Sequence, residues 1–123
     1  MIGFTAPGGN DKLKLLWTHP NPSNGFAAQT LALDLSKYKY VLIEGTYATT
    51  QGPISRCLCP TDSSTSYISF PTSVTATAVR QVVVSPSGIN FSNGYFVATS
   101  APSQNQTWYA VPLKIYGMSS DLI

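Results

Sequence analysis

Few side chains in this chain can do proton or electron-pair chemistry, and they are widely spaced. His19 is the single histidine, in the loop His19-Pro20-Asn21-Pro22-Ser23-Asn24-Gly25. A hydrolytic triad needs a serine, a histidine and a carboxylate that meet in space. No Gly-x-Ser-x-Gly elbow is present to supply the nucleophile, and a loop histidine exposed to solvent or held by Asn21 is the simpler reading. The carboxylates are Asp11, Asp34, Glu44, Asp62 and Asp121. Glycoside cleavage takes two of them on opposite sides of a bond. Only Asp34 and Glu44 fall on expected strands, where a short turn would let them approach across a hairpin. The competing reading makes each solvent-facing or salt-bridged, Asp34 with Lys37 or Lys39. Cys57-x-Cys59 sets two thiols on one face of a strand. Two thiolates do not complete a tetrahedral zinc shell, and a disulfide across one intervening residue strains an extended backbone. Two free thiols are therefore expected. No phosphate-binding or dinucleotide loop occurs. The chain reads as a non-enzyme without cofactor or metal.

The remaining chemistry is that of contact. The chain has two tryptophans, seven tyrosines and five phenylalanines. Exposed indole and phenol rings stack on sugars and dominate protein interfaces, whereas most aromatics in a β protein fill its core. Loops on a rigid scaffold carry recognition. Three are expected, at His19 to Gly25, Pro60 to Ser66 and Ala101 to Gln106. They are polar and almost uncharged, so their amides and hydroxyls can bond to sugar hydroxyls without burying a charge. Trp108 and Tyr67 border two of them. The candidate glycan or receptor contacts are Trp108, Tyr67, His19, Asn21, Asn24, Gln104 and Asn105.

The elements that must position these residues are strands. Short runs alternate apolar and polar, as side chains pointing to opposite faces require, and turn-forming Pro, Gly, Asn and Ser separate them. Expected strands are Lys12 to Thr18, Ala28 to Leu35, Tyr38 to Thr49, Ser55 to Cys59, Tyr67 to Phe70, Val74 to Ser85, Tyr95 to Thr99 and Trp108 to Tyr116. Pro86-Ser87-Gly88 and Ser92-Asn93-Gly94 read as turns flanking Ile89-Asn90-Phe91. Pro112 lacks a ladder donor and calls for an edge strand or a bulge. In Tyr38 to Thr49 both faces carry apolar residues, which fits a central strand or one covered by another subunit. About eight short strands imply an all-β fold, an antiparallel β-sandwich of jelly-roll type. The expected boundaries are an N-terminal mobile or docking arm at residues 1–11, a sandwich at 12–117 and a tail at 118–123.

At 123 residues the chain is expected to be one domain. Only 10% of residues are charged and the net charge is +2. The scattered Lys and Arg offer no phosphate-binding block, so nucleic acid is not an expected partner. No stretch approaches a membrane span, and the first residues lack the pattern of a signal peptide. Synthesis in the cytoplasm is expected. A nearly uncharged surface does not repel its own copies.

Several segments together resemble a known module. They are Leu16-Trp17-Thr18-His19-Pro20-Asn21-Pro22-Ser23, the run from Phe26 to Tyr38 that holds Leu31-Ala32-Leu33-Asp34-Leu35, Val41-Leu42-Ile43-Glu44, and the closing Val111-Pro112-Leu113-Lys114-Ile115-Tyr116-Gly117. They resemble a small module of bacteriophages and prophages of Firmicutes. The middle, Gln51 to Ser103, carries none of the resemblance. What it implies is a virion-associated structural or appendage protein, commonly trimeric, located on the virion and contacting other virion proteins. It implies no active site and carries over no functional residue. The expected function is a non-enzymatic, oligomeric sandwich in a tail or fibre tip that touches a host-surface glycan. A capsid decoration or head-fibre protein is one alternative, and a carbohydrate-active enzyme the other.

Overall fold

The computed structural model describes residues 13–48, 53–73, 76–98 and 101–119. The expected arm at 1–11 and nearly all of the tail lie outside them. Nine strands are described: β1 (Leu13–Thr18), β2 (Gln29–Ala32), β3 (Tyr40–Ala48), β4 (Ile54–Pro60), β5 (Thr65–Ser73), β6 (Ala76–Ser85), β7 (Gly88–Ala98), β8 (Ala101–Gln106) and β9 (Tyr109–Met118). One 3-10 turn, Pro22–Asn24, lies between β1 and β2. The fold is an all-β sandwich. One sheet has the order β1-β9-β3-β4, the other β2-β7-β6-β5, with β8 also on β7. All pairings among the described residues are antiparallel. The first described strand, β1, pairs with the last, β9, and β2 pairs with β7, nested as in a jelly roll. The inner strands pair locally, β3 with β4 and β5 with β6 with β7.

Alternation decides what is buried. On β3, Val41 and Ile43 face inward with Cys59 of β4 and Ile115 of β9. Ile68 and Phe70 of β5, Ala78, Val82 and Val84 of β6, and Ile89 and Phe91 of β7 meet them from the other sheet. Each fully buried side chain of the size of Ile or Phe contributes about 1.5–3 kcal/mol. β3 lies between β9 and β4, the central position that apolar residues on both of its faces suggested. Cys57 and Cys59 are free thiols on the inner side of β4. The Cys57 thiol donates to Ser69 O (3.5 Å) and accepts from Ser69 N–H (3.4 Å), linking the two sheets where β4 and β5 form their edges.

Four local expectations are corrected. The segment Ala101 to Gln106, expected as a loop, is strand β8, paired with the end of β7 from Gly94↔Gln106 to Ala98↔Ala101. Ser92-Asn93-Gly94 is not a turn but the middle of β7. Its glycine serves close packing instead, since a Cβ on Gly94 would overlap the Tyr109 carbonyl. Its Ser92 hydroxyl accepts from Gln81 N–H (3.2 Å) and donates to Gln81 O (3.1 Å), filling the irregularity where the β6–β7 register slips between Arg80 and Val82. Pro112 sits on β9, a central strand, so the edge reading fails and the bulge reading stands: the β9–β3 register shifts between Pro112 and Lys114. Pairing with β1 stops at Lys114↔Thr18, so no neighbour on that side needs the missing proline donor. Finally, the strand expected over Ala28 to Leu35 is shortened to Gln29–Ala32.

Candidate functional site

Registers fix which loops share an end. Tyr109 pairs with Ala48 at one end of β9, and Met118 with Tyr40, itself opposite Pro60, at the other. The β8–β9 turn with Trp108 therefore lies at one end, and the β4–β5 loop, expected over Pro60 to Ser66 but confined to residues 61–64, at the opposite end. The β1–β2 loop belongs to the Trp108 end. There His19 N–H donates to Leu113 O (2.8 Å) and Phe26 N–H to Thr107 O (2.8 Å).

The loop from His19 to Gly25 is built by its own polar groups. Asn24 N–H bonds to Asn21 O and Gly25 N–H to Pro22 O, both at 3.0 Å. Gly25 has φ +76°, and a Cβ there would stand 2.9 Å from Thr107 O and 3.4 Å from Trp108 Cα. Glycine thus meets two demands, a left-handed backbone and contact with the neighbouring turn. His19 is locked by both ring nitrogens. Asn21 N–H donates to Nδ1 (3.0 Å), so the proton sits on Nε2, which is 2.7 Å from Gly25 O and donates to it. Its ring packs against both Trp17 and Phe26, each centroid 5.6 Å away, and those two lie 5.7 Å from each other, so the three rings form a triangular cluster. A histidine with both nitrogens engaged is a loop strut rather than a base awaiting a substrate. Asn21 and Asn24 are exposed, and the Asn21 side-chain oxygen accepts from the Ser23 hydroxyl at 2.8 Å.

Trp108 follows on the adjacent turn and is 46% exposed. What holds that turn is Arg80, fully buried between the sheets. Among the described residues its guanidinium bonds only to main-chain carbonyls: Nε to Ala110 O (2.9 Å), Nη1 to Ser92 O (2.6 Å), and Nη2 to Tyr109 O (2.8 Å) and, at 3.4 Å, Thr107 O. Its Cζ lies 5.3 Å from the Phe26 ring centroid. Burial pushes its pKa down to about 10, so it remains a cation at neutral pH, and carbonyl dipoles act as its counterion. Ala110 stands at φ +52°, a conformation that costs an L-residue about 1–2 kcal/mol. The Arg80 bonds to Tyr109 and Ala110 hold it there.

The other expected contacts lie elsewhere. Tyr67 is 63% exposed on β5, opposite Gln81. That strand is three places across the sheet from β8, about 14 Å at the usual strand spacing. Gln104 and Asn105 are on β8, opposite Phe96 and Tyr95. Of the seven residues, His19, Asn21, Asn24 and Trp108 are brought together. Arg80, which orders their surroundings, was missed. The available signal was its parity with Ala78, Val82 and Val84 in one alternating run.

The acids are committed to local structure. Asp34 and Asp62 each accept from a backbone N–H and hydroxyl two residues on, in Ser36 and Ser64. These bonds hold both carboxyls below the ordinary value of 3.8. Glu44 accepts from Arg56 Nε at 3.0 Å. Asp34 follows β2 and Glu44 sits on β3, in different sheets, so they do not face each other across a hairpin. Among the described residues no group of three His, Cys, Asp or Glu could hold a metal ion, and no helix is long and apolar enough to cross a membrane. A shallow hollow of about 440 Å³, lined by Ala32, Leu33, Asp34, Pro86 and Ser87, lies away from Trp108. No family model, curated protein or solved structure matches the chain.

Proposed function

We propose that this chain is a non-enzymatic recognition module that presents Trp108 and the His19–Gly25 loop to an uncharged polar ligand, a glycan of a host cell surface. The carrying observation is an indole 46% exposed on a turn whose carbonyls are held by a fully buried guanidinium. A large aromatic surface on a pre-ordered backbone loses little entropy on binding. The exposed Asn21 and Asn24 beside it supply hydrogen bonds without charge. The non-enzymatic reading is supported by the locked His19 and the carboxylates engaged in turns and an ion pair. The setting, a tail or fibre tip of a bacteriophage particle, is supported by the sequence resemblance.

The test is W108A, with Y67A beside it, assayed for attachment to host cells or their purified surface polysaccharide. W108A should lower attachment about tenfold or more, the loss expected for a central aromatic contact, while its melting temperature stays near that of the wild type. Unchanged attachment would overturn the assignment of Trp108. A collapse of stability would make it a core residue instead.

A further inference from the structure

The loop beside Trp108 is closed by a side chain that changes its bonding in mildly acidic water. Imidazole is the side chain whose charge ordinarily changes between about pH 5 and 8, and His19 is the single histidine of the chain. It is half-buried at the start of the loop, within reach of solvent protons. Its ring nitrogens are used in opposite senses. Nδ1 accepts from Asn21 N–H at 3.0 Å, and Nε2 donates to Gly25 O at 2.7 Å. Only the neutral ring does both, because imidazolium is a donor at both nitrogens. A second proton on Nδ1 would point straight at the Asn21 N–H, donor against donor.

The backbone has little freedom to turn that N–H away. Pro20 and Pro22 have fixed φ angles, and His19 and Asn21 each precede a proline, which restricts them as well. Asn21 O also accepts from Asn24 N–H at 3.0 Å, so displacing Asn21 unties the 3-10 turn. The charged groups on the strands around the ring are cations. They are Lys14 on β1, Lys114 on β9 opposite Thr18, and Arg80 on β6, whose Cζ lies 5.3 Å from the Phe26 centroid. The loop and β7 carry no other charge. Across β9, Glu44 is engaged by Arg56 at 3.0 Å, while Asp34 and Asp62 accept within their own turns. Among the described residues, then, no carboxylate pairs with an imidazolium at His19.

We propose that His19 is an acid-released latch: a proton on Nδ1 expels the Asn21 N–H, parts the ring from Trp17 and Phe26, and opens the His19–Gly25 loop. The neutral ring keeps Asn21 and Asn24 beside Trp108, and acidification takes them away, so ligand is held near neutral pH and released below it. The opening rests on the loop geometry alone; its effect on attachment rests on the recognition role proposed above.

Nitrogen-15 NMR of the intact chain from about pH 7.5 to about pH 5 reads ring and loop together. At the upper limit His19 should be the Nε2–H tautomer. As the ring takes its second proton, the amides of Asn21, Asn24 and Gly25 should shift with the same midpoint. Overhauser contacts from the His19 ring to Phe26 should vanish, while the amides of Val41 and Ile43 stay in place. H19N puts an amide oxygen near the position of Nδ1 and does not titrate, so its loop should ignore the pH change. Attachment of the wild type should fall about tenfold over this range, the scale of one hydrogen bond, and that of H19N should stay level. A ring still neutral at about pH 5, a protonated ring that keeps its Phe26 contacts, or the same loop response in H19N would overturn the latch. Loop opening with attachment unchanged would refute release as its consequence, while W108A decides the recognition reading by itself.

Discussion

Replacing Arg80 with methionine tests whether a buried cation without a carboxylate stabilises this sandwich. The three short bonds from Arg80 go to Ser92, Tyr109 and Ala110 carbonyls at 2.6, 2.8 and 2.9 Å. Hydrogen bonds to a charged group are each worth about 1.5–3 kcal/mol. Against them stands a desolvation cost of several kcal/mol for a buried ion. R80M keeps most of the volume and removes both terms. It also leaves three carbonyls without their donor, at about 1–3 kcal/mol for each that finds no water, and it frees Ala110 from its clasp at φ +52°. The lost bonds and the relieved desolvation roughly offset each other, so the unpaired carbonyls, at about 1 kcal/mol each, set the loss at about 3 kcal/mol, a large fraction of the roughly 5–15 kcal/mol that holds a typical domain together. At this chain length that lowers the melting temperature by about 10 °C. Urea unfolding followed by circular dichroism measures the loss directly, provided the denaturant slope is unchanged. A variant as stable as the wild type, or more so, would refute the reasoning, because solvating the cation would then outweigh its bonds, as occurs in some buried ion networks.

Two further outcomes follow from the titrating groups. Burial raises the thiol of Cys57 and pushes that of Cys59 to about 11, so at pH 8 a thiol reagent should find two groups at once in denaturant and react slowly with the folded protein; equal rates in both states would refute this. Asp34 and Asp62 are held below 3.8 in the fold, so their stabilising contribution is complete above about pH 4 and is lost as pH falls through the lowered values. The stability difference between the wild type and a D34N/D62N double variant should therefore shrink below pH 4. A difference that stays constant to pH 2 contradicts the assignment.

Where alternation and burial coincide, the fold was legible from the residues. Tyr38 to Thr49 reads as a two-sided strand, central or covered by another subunit, and Tyr40–Ala48 is a central strand, where the same period that makes Val41 and Ile43 inward places Tyr40 and Leu42 on the other face. Legibility fails where a segment forms a strand for its neighbour's sake. Ala101-Pro102-Ser103-Gln104-Asn105-Gln106 has no β-branched or aromatic residue, and its composition is that of a loop. It pairs because the upper half of β7 has backbone groups beyond the reach of β2, which ends its register at Phe91↔Gln29. Ser92-Asn93-Gly94 misleads for a related reason. The same residue types serve turns and irregular ladders, and only the approach of Tyr109 separates the two uses.

The site was legible in half its parts, and the missing half is the physically telling one. Trp108 and the His19 loop stand out as an aromatic and polar loops, but nothing local says that residues 89 positions apart meet. Their meeting follows from the nested pairing of β1 with β9, which is a property of the whole sheet order. Arg80 was within reach of inspection: Ala78, Arg80, Val82 and Val84 share one parity, and three of the four are plainly inward residues. Charged residues are almost never fully buried unless paired, and that rule turns attention outward. The rule holds here in another form. Backbone carbonyls at a strand junction, with one left-handed residue among them, do the work of a carboxylate. A cation on the inward face of an alternating run therefore marks the place where a neighbouring turn is anchored, and in this chain that turn is the one that carries Trp108.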